Sequence, residues 1–180
     1  MAAVAAISLV LPKAVAQDDA DATHLINVTI PNVALLDLET SASATINATF
    51  TAPTEAGNDI TDPSSNSDLW LNYTSVLSSS ATSRKVDVKA SQTVDGVKMK
   101  VVAAAAATGF KGTVGTPEST VTLSTSDQAL ISGITSAYTT DGANKGHKLT
   151  YTFEADDSDF GSLKQATPAV TITYTLVDVN

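Results

Sequence analysis

Apolar and polar residues alternate with a period of two along much of this chain. That period marks a strand with one buried face, because successive side chains of an extended backbone point to opposite sides. Ile26, Val28 and Ile30 alternate with Asn27 and Thr29 and stop at Pro31. Ile46, Ala48 and Phe50 alternate with Thr45, Asn47, Thr49 and Thr51, the cleanest half-buried strand pattern in the chain. The same alternation returns at Leu69, Leu71 and Tyr73, at Val86, Val88 and Ala90, and at Val97, Met99 and Val101. Val121 and Leu123 mark a short strand, Leu149, Tyr151 and Phe153 a longer one, and Val170, Ile172, Tyr174 and Leu176 the last. Val33–Leu38 is denser in apolar residues and reads as a strand buried on both faces.

Turn residues separate these runs. Residues 52–68 collect Pro, Gly, Asn, Asp and Ser and read as a long surface loop. Asp95-Gly96 stands between two alternating runs and predicts a hairpin, since both residues tolerate positive φ. Lys98 and Lys100 then occupy the outward face, as on an edge strand guarded against aggregation. Ala103–Ala107 reads as a turn of helix or a close approach of two backbones. Residues 127–137 predict the one short helix, capped by Ser126 or Asp127. Eight or nine strands without helices between them define an all-β fold, an antiparallel β-sandwich of immunoglobulin-like or jelly-roll type.

Composition narrows this picture. The 180 residues include 19 serines, 26 threonines and 27 alanines, so the 43 % hydrophobic fraction overstates the bulky core. It still suffices for a single domain, assigned to residues 17–180. With no cysteine there is no disulfide, thiolate zinc site or cysteine nucleophile. The net charge of −9 argues against nucleic acid and anionic lipid as partners, and favours repulsion between copies. Residues 2–11 form an uncharged apolar run, too short to span a bilayer, which takes about 20 residues. Small residues follow at Ala14 and Ala16, the pattern of a cleavable export signal, here residues 1–16. The expectation is therefore a secreted or cell-surface protein with no membrane span after cleavage.

Few motifs carry chemistry. His24 and His147 stand apart, with neither a G-x-S-x-G elbow nor an H-E-x-x-H helix, so no catalytic residue is assigned and the expectation is a non-enzyme. Residues 142–148 (GANKGHK) lack the glycine spacing and Lys-Ser/Thr ending of a phosphate loop and read as a turn. Asp156, Asp157 and Asp159 concentrate carboxylates in one loop and are the candidate calcium ligands; a closing Glu at the twelfth loop position is absent, so a solvated acidic turn is the expectation and no cofactor is required. Asp59, Asp62 and Asp68 in the long loop carry the same weaker suggestion. Three N-x-T sequons begin at Asn27, Asn47 and Asn72, all on predicted strands, where a threonine-rich outward face produces them by coincidence. Trp70, the single tryptophan, is the candidate for stacking on a carbohydrate.

The closing strand Ala169-Val170-Thr171-Ile172-Thr173-Tyr174-Thr175-Leu176, with the Leu149–Phe153 strand and the Gly161 loop before it, resembles the end of bacterial pilus or fimbrial and spore-coat-U-like surface subunits. The resemblance implies assembly by strand donation, in which an N-terminal extension of one copy completes the sheet of the next. The candidate donor lies in residues 17–30, with Ile26, Val28 and Ile30 facing the neighbour; the alternative is that the same segment is the molecule's own first strand. Two functions are thus expected: a filament or pilus-like structural subunit whose partners are copies of itself, or a secreted module that binds carbohydrate or protein through Trp70 and residues 52–68.

Overall fold

Threonine, valine and isoleucine on alternating positions favour extended backbone and pack well across a pleated surface. In the computed structural model, which describes residues 20–180, they form ten strands. These are β1 Val33–Thr40, β2 Asn66–Val76, β3 Ser83–Ala90, β4 Val97–Ala103, β5 Val114–Pro117, β6 Val121–Thr122, β7 Gln128–Ile134, β8 Ala137–Tyr138, β9 His147–Ala155 and β10 Ile172–Val179. The proposed export signal, residues 1–16, lies outside the described residues. Two units result: a segment ending at Ile30, and Pro31–Asn180, which contains every strand.

Within Pro31–Asn180 the pairing is antiparallel throughout. One sheet runs β1-β2-β9-β4-β6, with β8 continuing the β9 side of β2; the other runs β10-β3-β7-β5. The fold is the all-β sandwich that the alternation predicts. Leu71, Val86, Val88, Val101, Leu130, Ile131, Ile134 and Leu149 are fully buried between the sheets. Burying each such side chain stabilises by about 1.5–3 kcal/mol relative to exposure.

Several local expectations change. Asp95-Gly96 does make a tight turn, with Gly96 at φ +72° and the Val97 amide donating to the Val94 carbonyl. The flanking strands do not pair as a hairpin, however. Both sides of β3 are taken by β10 and β7, so the chain crosses to the other sheet and β4 pairs with β9. On the side of β4 away from β9, the two-residue β6 pairs only with Lys100 and Val101, and the two lysines form ion pairs with Asp156 (2.6 Å) and with Glu154. Residues 128–134 are a strand, not a helix; Ile131 and Ile134 fill the core, and Gly133 at φ +73° accompanies an irregular register against β3. After Ala103 the alanines make a close approach, the Ala104 and Ala107 amides donating to the Lys148 and Gly146 carbonyls.

Three expected strands fare differently. Val33–Leu38 is an edge strand, not a doubly buried one, and Leu35 is 65 % exposed. Residues 45–50 are in no strand; the first ladder contact there is the Thr51–Thr61 bridge. Leu25–Ile30 is likewise in no strand.

Candidate functional site

The strands β1 and β10 are the outer strands of their two sheets, and they face each other along one flank of the sandwich. At one end this flank is closed by Arg84 of β3, the only arginine in the chain, whose side chain is almost wholly buried. Its Nε donates to Asp178 of β10 at 2.5 Å, and Nη1 donates to the Val33 carbonyl of β1 and to Ser75 Oγ of β2 at 3.1 Å. Nη2 donates to Asn32 Oδ1 at 2.7 Å. A guanidinium can serve this many acceptors because its donors form a rigid planar fork. Arg84 thus ties both sheets to Asn32 and Val33, where the chain enters the sandwich.

At the other end the flank opens. Val33 of β1 stands opposite Val76 and Thr40 opposite Leu69, while Val179 of β10 stands opposite Ser83 and Ile172 opposite Ala90. The far end of β1 therefore lies roughly 23 Å from Val33, at about 3.3 Å per residue. There a groove of about 1170 Å³ is lined by Leu38, Leu69, Met99, Phe153, Ile172 and Tyr174 from the strands, and by residues 44–52 and 163–171 from outside them. On its floor the Tyr151 and Tyr174 hydroxyls hydrogen-bond across the two sheets. Burial pushes both phenols above their ordinary value, so they stay neutral. The groove is mostly apolar, with the tyrosine pair on its floor and threonines, Asn47, Lys164 and Gln165 in its wall.

The predicted site residues are scattered. Leu25, Ile26, Val28 and Ile30 are 83 %, 70 %, 78 % and 75 % exposed and belong to no strand, so the reading of this segment as the molecule's own first strand is not what the structure shows. Trp70 is only 7 % exposed, with the Lys148 ammonium 5.5 Å from its ring centroid, and offers no open face to a sugar. It is buried because β2 is an interior strand between β1 and β9, and both of its faces are covered over Leu69–Tyr73. Asp156, Asp157 and Asp159 do not converge as a metal cage among the described residues. Asp156 is held by Lys98 and by Ser158, contacts that draw its pKa down to about 2. Asp159 accepts from the Gly96 amide and from Ser162 Oγ, which shapes the turn before the 3₁₀ turn Phe160–Ser162.

Among the described residues, the acidic groups that do approach one another are Asp37 and Glu39 of β1 and Asp141, within 4.8 Å. The two positions on β1 share a face at i and i+2, but Asp141 is remote in sequence and no spacing signals it. Asp62, from the long loop, instead accepts from the Ala155 amide at 2.9 Å.

His147 is fully buried. Its Nδ1 lies 2.8 Å from the Ala104 carbonyl and its Nε2 2.8 Å from the Tyr73 hydroxyl, over which the ring stacks. The Ala104 carbonyl can only accept, so Nδ1 donates to it; the Tyr73 hydroxyl beside Nε2 has a single proton and donates to the Val114 carbonyl. Burial pushes its pKa below the ordinary value, against the smaller opposing effect of the backbone carbonyls. Both ring nitrogens are occupied by groups of the core, and neither contacts a serine or an aspartate. His24 is exposed in the segment ending at Ile30. Of the three sequons, Asn27 and Asn47 are exposed, whereas Asn72 is 4 % exposed and donates to the Gly142 carbonyl.

Arg84 and the groove escape sequence reasoning. The signal for Arg84 was present, a lone arginine among nine lysines at the start of an alternating strand. The groove has none, because it depends on two segments failing to join a sheet. Compared with known proteins, the chain matches no family model, no curated protein and no solved structure.

Proposed function

We propose that this chain is an exported structural subunit of a bacterial cell surface, assembling into filaments as residues Leu25–Ile30 of one copy add a strand to the next. The observation that carries this reading is the exposed alternating row Ile26, Val28 and Ile30, beside Leu25, all outside any strand. Four bulky apolar side chains within six residues, left in water, mark a surface that awaits a partner. A strand addition supplies main-chain hydrogen bonds for affinity and alternate side chains for register. The bare outer sides of β1 and β10 are available as the acceptor edge. Export rests on the apolar run at residues 2–11 and on the small residues Ala14 and Ala16.

Light scattering and negative-stain electron microscopy of the purified chain test the reading. The expected result is concentration-dependent polymers that disappear in the Ile26→Asp, Val28→Asp double variant, while its circular dichroism stays that of the folded sandwich. Filaments undiminished in the double variant, or a wild-type chain that stays monomeric at high concentration, overturn it.

A further inference from the structure

Two five-residue stretches, twenty positions apart, share one pattern: Ile26-Asn27-Val28-Thr29-Ile30 and Ile46-Asn47-Ala48-Thr49-Phe50. Each sets three apolar residues on one row and Asn and Thr on the other. Their surroundings differ. Ile26, Val28 and Ile30 are exposed, whereas Ile46 packs against the core and Phe50 is half-buried, with the whole stretch in the wall of the groove.

The second stretch is held only by side chains. Among the described residues, no backbone hydrogen bond involves Ile46–Phe50. The nearest lie at its ends, from the Thr45 amide to Ser43 Oγ and in the paired bonds between Thr51 and Thr61. Its middle apolar residue is an exposed alanine, and the groove keeps about 1170 Å³ of open space beside it. That exceeds the roughly 300–1,000 Å³ of small-molecule sites and suits a peptide segment.

We infer that Ile46–Phe50 is an internal placeholder in the groove, exchanged for Ile26–Ile30 of a second copy. The inference rests on the strand-donation reading and deepens it by naming the acceptor and what must leave it. The incoming stretch presents its residues in the same order, with Val28 where the placeholder has Ala48 and Ile30 where it has Phe50, so it fills the same row with a similar apolar surface. It also gains what the placeholder lacks, ladder hydrogen bonds to an unpaired strand edge, since Ile172 and Tyr174 of the outer strand β10 form part of the groove. An occupant with two anchoring side chains and no ladder is one that can be displaced.

The acceptor for the test is the full chain carrying Ile26→Asp and Val28→Asp, so that it cannot donate. With no native cysteine, spin labels at Asn47→Cys and at Thr152→Cys, on the exposed face of β9, report the placeholder's position by pulsed electron resonance. The probe is a peptide of residues 22–31, beside a scrambled peptide. The expected result is binding at least tenfold tighter than the scrambled control, with a longer and broader interlabel distance. Binding without a distance change overturns the exchange and leaves donation standing. No binding, while the wild-type chain still forms filaments, overturns the groove as acceptor. No binding and no filaments overturn both. Where the labelled variant fails to fold, Phe50→Ala serves instead: loosening the placeholder raises peptide affinity several-fold, and an unchanged or lower affinity overturns the exchange.

Discussion

Arg84 and His147 are buried groups whose hydrogen bonds join segments distant in sequence. Arg84 serves acceptors on β1, β2 and β10 at once, so shortening it strands several of them in the core. Arg84→Met is expected to cost about 2–4 kcal/mol, below the extreme for a broken buried pair because Asp178 is 40 % exposed. Asp178→Asn should cost about 1 kcal/mol, and Arg84→Lys should not rescue, since an ammonium cannot reproduce the fork. Urea unfolding followed by circular dichroism checks all three. His147 makes stability depend on pH in a definite direction. Its folded-state pKa lies below the ordinary 6.5, so an unfolded chain takes up the proton first as pH falls. The stability it contributes is whole above about pH 6.5 and is lost as pH falls through the depressed folded value. The urea midpoint should therefore drop between pH 7 and pH 5. His147→Gln should remove that slope, at a cost of about 1–3 kcal/mol for the orphaned Ala104 carbonyl. A slope that persists in the variant assigns it elsewhere.

At the scale of elements, alternation told where extended chain lies and not what it pairs with. Leu69–Tyr73, Val86–Ala90, Val97–Val101 and Leu149–Phe153 are legible because each has one row in the core, and the structure pairs all of them. Ile46–Phe50 has the same local chemistry and joins no sheet. Pairing depends on how a segment is set against the edges of other strands, which is invisible within a five-residue window. The Asp95-Gly96 turn teaches the same point: its backbone geometry was legible, but the destination of the chain after it depended on β7 and β10 already flanking β3. The helix expected at residues 127–137 failed because Ile131 and Ile134 match a helical spacing as well as a strand with an irregular register. Of the candidate site, the exposed row at Ile26–Ile30 was legible as a pattern, and its missing strand partner was not.

At the scale of the whole molecule, charge opposes association. A net charge of −9 sets each copy against the next, and salt screens that repulsion within about 10 Å at 0.1 M. Filament formation is therefore expected to start at a lower protein concentration in 0.5 M than in 0.02 M sodium chloride, as read by light scattering. The reverse dependence would mean that attraction between charged groups, not apolar contact, drives assembly. The clamp on Asn32 and Val33 has a mechanical side. Tension on the segment before it would enter the sandwich through Arg84 and along β1, parallel to the strand and across the rungs that join it to β2. Under such a load the rungs share the force together instead of parting one after another. A chain without a single covalent cross-link would resist pulling in this direction best.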